Sequence, residues 1–247
     1  MTSTMKVHDT ALRNGQAFFE TYLPALEGLG RSSLKVADIG SYSVNGSLRD
    51  VCPTRHEYIG VDLAAGPGVD VVMTDPYRIP LDDASVDVVV SSSCYEHAEF
   101  FWILQLEIMR VLRPHGLFYL NAPSAGSFHR YPVDCWRFYP DSGKALERWG
   151  MRNSFDCVLL ESSTQVGGNW NDFVAVFLRD RNHLGQFPES MAEGRLDAEN
   201  IHLFGVAEIS NYQKRTQAMR RLDSQGRFSK TFRETAGRLS LLVLGRD

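Results

Sequence analysis

"VADIGSYSVNGS", residues 36–47, decides the fold: an apolar run ends in Asp38-Ile39-Gly40, and small or polar residues follow as far as Gly46. A strand that gives way to glycine in this manner is how a parallel sheet enters a ligand-binding turn, because ligands on open α/β sheets bind beyond the carboxyl ends of the strands. Neither standard phosphate-binding spacing is present. The dinucleotide pattern G-x-G-x-x-G needs a second glycine to let the backbone approach a pyrophosphate, but Ser41 and Tyr42 follow Gly40. The pattern G-x-x-x-x-G-K-[ST] fails as well, since Gly46 lies one residue too far on and is followed by Ser47 instead of lysine. Tight cradling of a phosphate is therefore disfavoured at this loop.

Outward from the motif, short apolar and β-branched runs recur: "LKVADI" (34–39), "EYIGVD" (57–62), "VDVVMTD" (69–75), "VDVVVSSS" (86–93), "GLFYLNAP" (116–123), "FDCVLL" (155–160) and "DFVAVFLR" (172–179). Nearly continuous apolar runs of this length suit strands buried on both faces, as in a parallel sheet covered by helices. Between them, residues 98–114 place apolar side chains at a helical period up to Pro114. "DSGKALERWG" (141–150) reads as a helix with Asp141 as its cap and Gly150 at its end. Residues 10–29 read as one amphipathic helix ahead of the first strand. Beyond Arg179 the stretch 182–200 is polar and loop-like, residues 206–222 read as helical, and "RLSLLVLG" (238–245) as a last strand or core helix turn. The expectation is a doubly wound, Rossmann-like α/β sheet of seven strands with an N-terminal helix and a C-terminal helical appendage. The expected boundaries are 1–33, 34–180 and 181–247.

A chain of 247 residues with 43% hydrophobic content can fill one large core. Its formal charge of −4 offers no general attraction to nucleic acid or to anionic membranes. The basic residues concentrate at the end: residues 211–247 hold nine Lys/Arg against three Asp/Glu, +6, which leaves −10 for the rest. The run "KRTQAMRR" (214–221) reads as a solvated helix face ahead of a nucleic-acid patch. Cys52, Cys94, Cys135 and Cys157 form no CxxC pair, so neither a zinc knuckle nor a disulfide framework is expected. No signal-peptide core and no run of membrane-spanning length is apparent, and a cytoplasmic chain without membrane insertion is the expectation.

Two further acids join the first loop. Asp62 ends the second strand, 22 residues after Gly40, where a carboxylate accepts both hydroxyl hydrogens of a ribose. Asp75 ends the third. Carboxylates at adjacent strand ends repel a diphosphate and suit a nucleoside with a positive centre.

These residues resemble the class I S-adenosylmethionine-dependent methyltransferases. "VADIGSYSVNG" is similar to their first motif, [DE]-x-G-x-G-x-G, and "IGVDL" to the second. "TDPYRIPLDDASVDVVVSSSCYEHA" resembles the run D-x-x-x-L-P-[FL]-x-x-x-[ST]-[FV]-D-x-V with its following Glu-His pair, and "IMRVLRPHGLFYLNAP" resembles the fifth motif. The resemblance covers about residues 34–180 and implies a sheet whose last strand is antiparallel. It implies S-adenosylmethionine as cofactor, with Asp38, Gly40 and Ser41 around its methionine end and Asp62, with Leu63 beside it, on the ribose. It further implies Asp75 on the adenine amine and the carbonyls of Ser91 and Ser92 on the ammonium. The departure is Ser41-Tyr42-Ser43, which replace the second and third glycines. Tyr22 and Arg13 on the first helix are candidates for the cofactor's carboxylate.

Methyl transfer from a sulfonium is an in-line displacement, so the protein aligns donor and acceptor and, for a hydroxyl, removes a proton. His97, just after the fourth strand, is the first candidate base, with loop ordering as its structural alternative. "SFHRYPVDCWRFYPDSG" (127–143) sets five aromatic rings among His129, Arg130, Asp134 and Arg137, a composition suited to a sugar or a ring-bearing acceptor or to a rigid packed loop. His129 and Asp134 are rival bases, or metal or hydroxyl ligands, and no metal-binding set is assigned. The pattern H-x-Y-P-x-D-x-W-R-F-x-P resembles methyltransferases of polysaccharide and glycan assembly. The expected function is O-methylation of a sugar or glycan. The alternatives are a small-molecule N- or O-methyltransferase of natural-product biosynthesis and a non-catalytic methyltransferase-like partner subunit.

Overall fold

The computed structural model describes residues 9–44, 46–166 and 170–214. Strand β1 (Lys35–Ile39) pairs in parallel with β2 (Glu57–Asp62) on one side and with β4 (Val86–Ser92) on the other, so the opening motif lies where the strand order reverses. The two-residue β3 (Val71–Val72) extends the sheet beyond β2. On the far side β4 pairs in parallel with β5 (Leu112–Pro123). Beyond β5 follow β7 (Asp172–Leu178), β6 (Val158–Gln165) and β8 (Ala198–Leu203), in that order and with antiparallel pairings throughout.

Each of the seven apolar runs contributes a strand, and β7 is antiparallel as expected. The eighth strand is the difference. It comes from the stretch read as loop and helical appendage, and "AENIHL" carries no strand pattern of its own. Pairing with the otherwise open edge of β6, whose residues are all buried, makes it a strand. Residues 206–213 are turns and a single bridge, Ile201 to Ser210, instead of the start of a helix. The remaining readings for 215–247, including the basic run and the last apolar segment, lie outside the described residues.

Helices cover both faces. Helix α1 (Asp9–Glu27) turns Phe18, Tyr22, Leu23 and Leu26 onto Val36, Val88, Val90 and Tyr119. Helices α2 (Phe101–Val111) and α3 (Pro140–Arg152) pack Leu104, Ile108 and Leu146 against Val89, Phe118 and Phe177 on the opposite face. Helix α2 ends before Pro114, which lies inside β5. Helix α3 begins one residue earlier than the sequence suggests, because Pro140 is pre-organised for the first helical position. Tyr139 is the cap, and the Asp141 carboxylate lies 2.8 Å from His202 of β8. Among the described residues no helix is long and apolar enough to cross a membrane.

Among the described residues between β1 and β2 there is only a 3-10 turn (Leu48–Asp50), and residues 63–70 link β2 to β3 without a helix. The carboxyl ends of β1, β2 and β4 therefore open onto short loops, and these loops form the candidate site.

Candidate active site

The first loop is built by spending its own amides. Gly40 and Ser41 donate to the carbonyl of Val61 (2.9 and 3.3 Å), Tyr42 to Asp62 Oδ2 (3.0 Å) and Ser43 to the carbonyl of Pro67 (2.8 Å). Four consecutive N–H groups are occupied, so the loop has none of the convergent donors that a phosphate requires. Gly40 is in the left-handed region (φ +85°), and a Cβ there would stand 2.5 Å from Cβ of Cys94. The close approach of Cys94 brings the loop after β4 directly against the loop after β1.

Asp62 takes one backbone hydrogen on each oxygen, from Tyr42 and from Ala64 (3.1 Å), and each oxygen keeps a further lone pair. Leu63 is half exposed beside it, and the carboxylate of the exposed Asp75 accepts from the Tyr77 amide at 2.8 Å. Ser91 is buried and donates through Oγ to the carbonyl of Ile39 (2.8 Å), tying β4 to β1. The Ser41 hydroxyl is buried without a hydrogen-bond partner, and Ser92 is half-buried at the strand's end. Asp38 is buried, and Tyr58 donates to its Oδ2 at 2.8 Å. Burial pushes its carboxyl up to about 7, with Asp62 adding to the rise and Tyr58 and Arg49 opposing it. Asp38 thus supports the loop from below.

Tyr22 is not at this edge. Its hydroxyl donates to Glu161 Oε1 (2.5 Å) inside the core, because α1 lies along the sheet face instead of over the strand ends. Arg13 of the same helix is close enough to Asp172 and Asp197 to favour both carboxylates.

The second half of the site is made by the segment 127–139 closing on the loop after β4. Cys135 and Trp136 donate their amides to the carbonyl of Glu96 (2.7 and 3.2 Å), and the Trp136 indole donates to the carbonyl of Ala98 (3.0 Å). Phe138 is buried against Tyr95, Phe101 and Phe173. Three residues singled out in the sequence, His97, His129 and Asp134, meet here. The two imidazoles stand edge to face with centroids 5.0 Å apart, and His97 Nδ1 lies 2.5 Å from the carbonyl of Val133. Asp134 accepts the His129 amide (2.7 Å), lies 3.3 Å from His129 Nδ1 and takes both arms of Arg137 (2.6 and 2.9 Å). The Arg137 fork holds the Asp134 carboxyl down to about 2.

Two partners of this cluster, Trp170 and Asp172, are not legible in the sequence; the third is the acid of the Glu-His pair. Glu96 is buried, its carboxyl raised to about 8 by desolvation. Trp170, ahead of β7, packs at a tilt of 51° against His129 (4.6 Å between centroids) and lies over Gly126, whose φ of +112° and missing Cβ make room for the indole. Asp172 at the start of β7 is buried, and its carboxyl is raised to about 6 by desolvation.

Residues 28–120 match the family described as "Methyltransferase domain". The phthiotriol/phenolphthiotriol dimycocerosates methyltransferase of Mycobacterium tuberculosis (strain ATCC 25618 / H37Rv) is 39% identical over 71 residues, 28% of this chain and 22% of that protein. An uncharacterized methyltransferase of Mycobacterium ulcerans (strain Agy99) is 39% identical over 69 residues, 28% of this chain and 27% of its own length. The chain thus matches only about a quarter of the length of these relatives. Among solved structures, the Burkholderia thailandensis 1,6-didemethyltoxoflavin-N1-methyltransferase, with 1,6-didemethyltoxoflavin and S-adenosylhomocysteine bound, superposes with a TM-score of 0.51. It is 17% identical over 70% of this chain and 79% of that one. The CurJ carbon methyltransferase does so with a TM-score of 0.51 at 16% identity, over 70% of this chain and 56% of that one. The parallel core β3-β2-β1-β4-β5 and the antiparallel β7 form the fold these structures share, and the family match lies on residues 28–120 of it.

Proposed function

We propose that this chain is an S-adenosylmethionine-dependent methyltransferase acting on an oxygen of a sugar or a glycan-linked acceptor. The observation that carries the reading is the convergence of His97, His129 and Asp134 one loop away from Gly40, with Cys94 joining the two halves. The curated relatives are named methyltransferases, and a neighbour of the same fold was solved with S-adenosylhomocysteine, which supports the cofactor class. The acceptors in those names, a phthiotriol dimycocerosate and 1,6-didemethyltoxoflavin, are unlike each other, so they support the reaction and leave the acceptor to the 127–139 segment.

When bound, the cofactor supplies an electrophilic methyl group on a sulfonium. Asp62 would hold the ribose hydroxyls, Leu63 and Asp75 the adenine, and the Gly40–Ser41 turn with the strand-end carbonyls of Ser91 and Ser92 the methionine part. The loop's occupied amides and acidic rim suit a cation better than a phosphate. Phe128 and Tyr131, both exposed, and Trp170 offer ring faces that stack on the apolar face of a pyranose while charged neighbours take its hydroxyls. Removal of the acceptor's proton is assigned to the histidine pair, with His97 Nε2 first because Val133 already occupies Nδ1.

Calorimetry with S-adenosylhomocysteine and transfer of labelled methyl groups to a panel of saccharides and amines test the reading. Binding with label on saccharide oxygen is expected; failure to bind the cofactor product at millimolar concentration removes the enzyme reading, and label on nitrogen alone removes the acceptor class. His97→Ala should lower turnover by about 100-fold or more, in the range of general-base loss, with cofactor affinity unchanged. A fully active variant would take His97 out of this role.

A further inference from the structure

Glu96, His97 and His129 each offer one ligand atom, and the three atoms lie within 4.8 Å of one another. We propose that they bind a divalent cation of the zinc type, a site that deepens the function proposed above and that the sequence spacing of 96, 97 and 129 does not announce.

The case rests on where each group's other contacts go. His97 uses Nδ1 on the carbonyl of Val133, which makes that nitrogen the protonated one and leaves the Nε2 lone pair for a ligand. His129 has Nδ1 3.3 Å from the Ser127 carbonyl, its hydrogen-bond partner, and 3.3 Å from the Asp134 carboxylate, outer contacts of the kind that orient a metal-ligating imidazole. Glu96 is 2% exposed, and its Oε2 is buried without a hydrogen-bond partner. An orphaned carboxylate oxygen is costly unless a proton or a cation satisfies it. His97 Nε2 and Glu96 Oε1 stand 3.8 Å apart, close to the roughly 3.3–3.6 Å expected between two ligands of a tetrahedral site with bonds of about 2.0–2.2 Å. Arg137, the nearest fixed positive charge, is committed to Asp134, and Asp172 adds negative potential. Two imidazoles and one carboxylate form the three-ligand set of a cation site that keeps a fourth position open.

The open position would take the acceptor hydroxyl. Coordination weakens its O–H bond and the proton passes to solvent, leaving an oxygen nucleophile beside the methyl donor. With the cation bound, the His97 Nε2 lone pair is a ligand and no longer a base, so this step replaces the direct proton transfer to His97; the step rests on the methyltransferase reading, whereas cation binding itself does not.

The full chain, stripped with EDTA and dialysed, should take up one equivalent of Zn2+ by elemental analysis and show the visible d–d absorption of low-coordinate Co2+ when Co2+ is supplied instead. Glu96→Gln and His129→Ala should abolish both signals, Asp134→Asn should weaken Zn2+ binding by about 10- to 100-fold, as loss of a carboxylate beside a ligating imidazole does, and His183→Ala, on the 3-10 turn after β7, should change neither. S-adenosylhomocysteine binding is measured alongside and should persist in all variants whose circular dichroism is native. Substoichiometric Zn2+ and no Co2+ spectrum in the wild-type chain overturn the site, as does one equivalent retained by both Glu96→Gln and His129→Ala. Loss of cofactor-product binding in the wild type would instead overturn the methyltransferase reading and leave the metal result standing.

Discussion

At the scale of single residues, the site depends on two positions whose chemistry is set by their neighbours. Asp38 carries a carboxyl raised to about 7 in the folded chain, against about 3.9 when unfolded. Between those values the folded state holds a proton that the unfolded state has lost, so this residue's contribution to stability falls as pH rises from about 4 to about 7 and is level above. Asp38→Asn should therefore unfold at the same denaturant concentration as the parent near pH 4 and at a higher one at pH 8. Parallel profiles would show that Asp38 is charged in the fold. Gly40 is the second position. Its φ of +85° and the 2.5 Å approach of Cys94 leave no place for a Cβ, and Gly40→Ala should cost roughly 1–3 kcal/mol. Because the displaced loop carries the Tyr42 amide to Asp62, S-adenosylhomocysteine affinity should fall with it. Equal stability and affinity in urea melts and calorimetry would contradict this account.

At the scale of elements, the segment 127–139 behaves as a clasp with a buried end and an exposed end. Phe138 is 2% exposed among Tyr95, Phe101 and Phe173, whereas Phe128 is 74% exposed. The first holds the segment on α2 and β7, and the second is available to an acceptor. Phe138→Ala should destabilise the fold by about 3–5 kcal/mol, as deletion of a core aromatic does. Phe128→Ala should leave the melting temperature unchanged and raise KM for the acceptor, and equal loss of stability in both would show that the segment packs as one block. The sequence reading left open whether these aromatics pack or recognise. Phe138 packs and Phe128 stays exposed, the two divided along the segment by the Asp134–Arg137 pair and by the Glu96 carbonyl, contacts that no local pattern encodes.

For the whole molecule, Glu161 joins what lies far apart in sequence. Its Oε1 accepts from Tyr22 of α1 and the Met191 amide, and its Oε2 from the Ser190 hydroxyl and the Ala192 amide, at 2.5–2.9 Å. Replacement by leucine would strand four donors, at least three of them buried, and should cost on the order of 3 kcal/mol or more. It should also loosen residues 187–203, read as faster amide exchange in β8 than in β2; uniform exchange would show that β8 is held by its pairing with β6 alone. The sequence by itself determined the seven core strands, the three helices and the acids Asp38 and Asp62 at the ends of β1 and β2; Asp75, expected to end the third strand, lies three residues past the two-residue β3. The strands and helices follow from hydrophobic period and from glycine and proline chemistry, which act within a few residues. Local signals also named His97, with Glu96 beside it, His129 and Asp134, yet not that they meet, nor that Trp170 and Asp172 border them. Only the tertiary structure decided those contacts, the eighth strand on β6 and the place of Tyr22 in the core. Each is a pairing across long sequence separation, made favourable by an open sheet edge or a buried polar group that needs a partner, and neither need is visible in the residues that answer it.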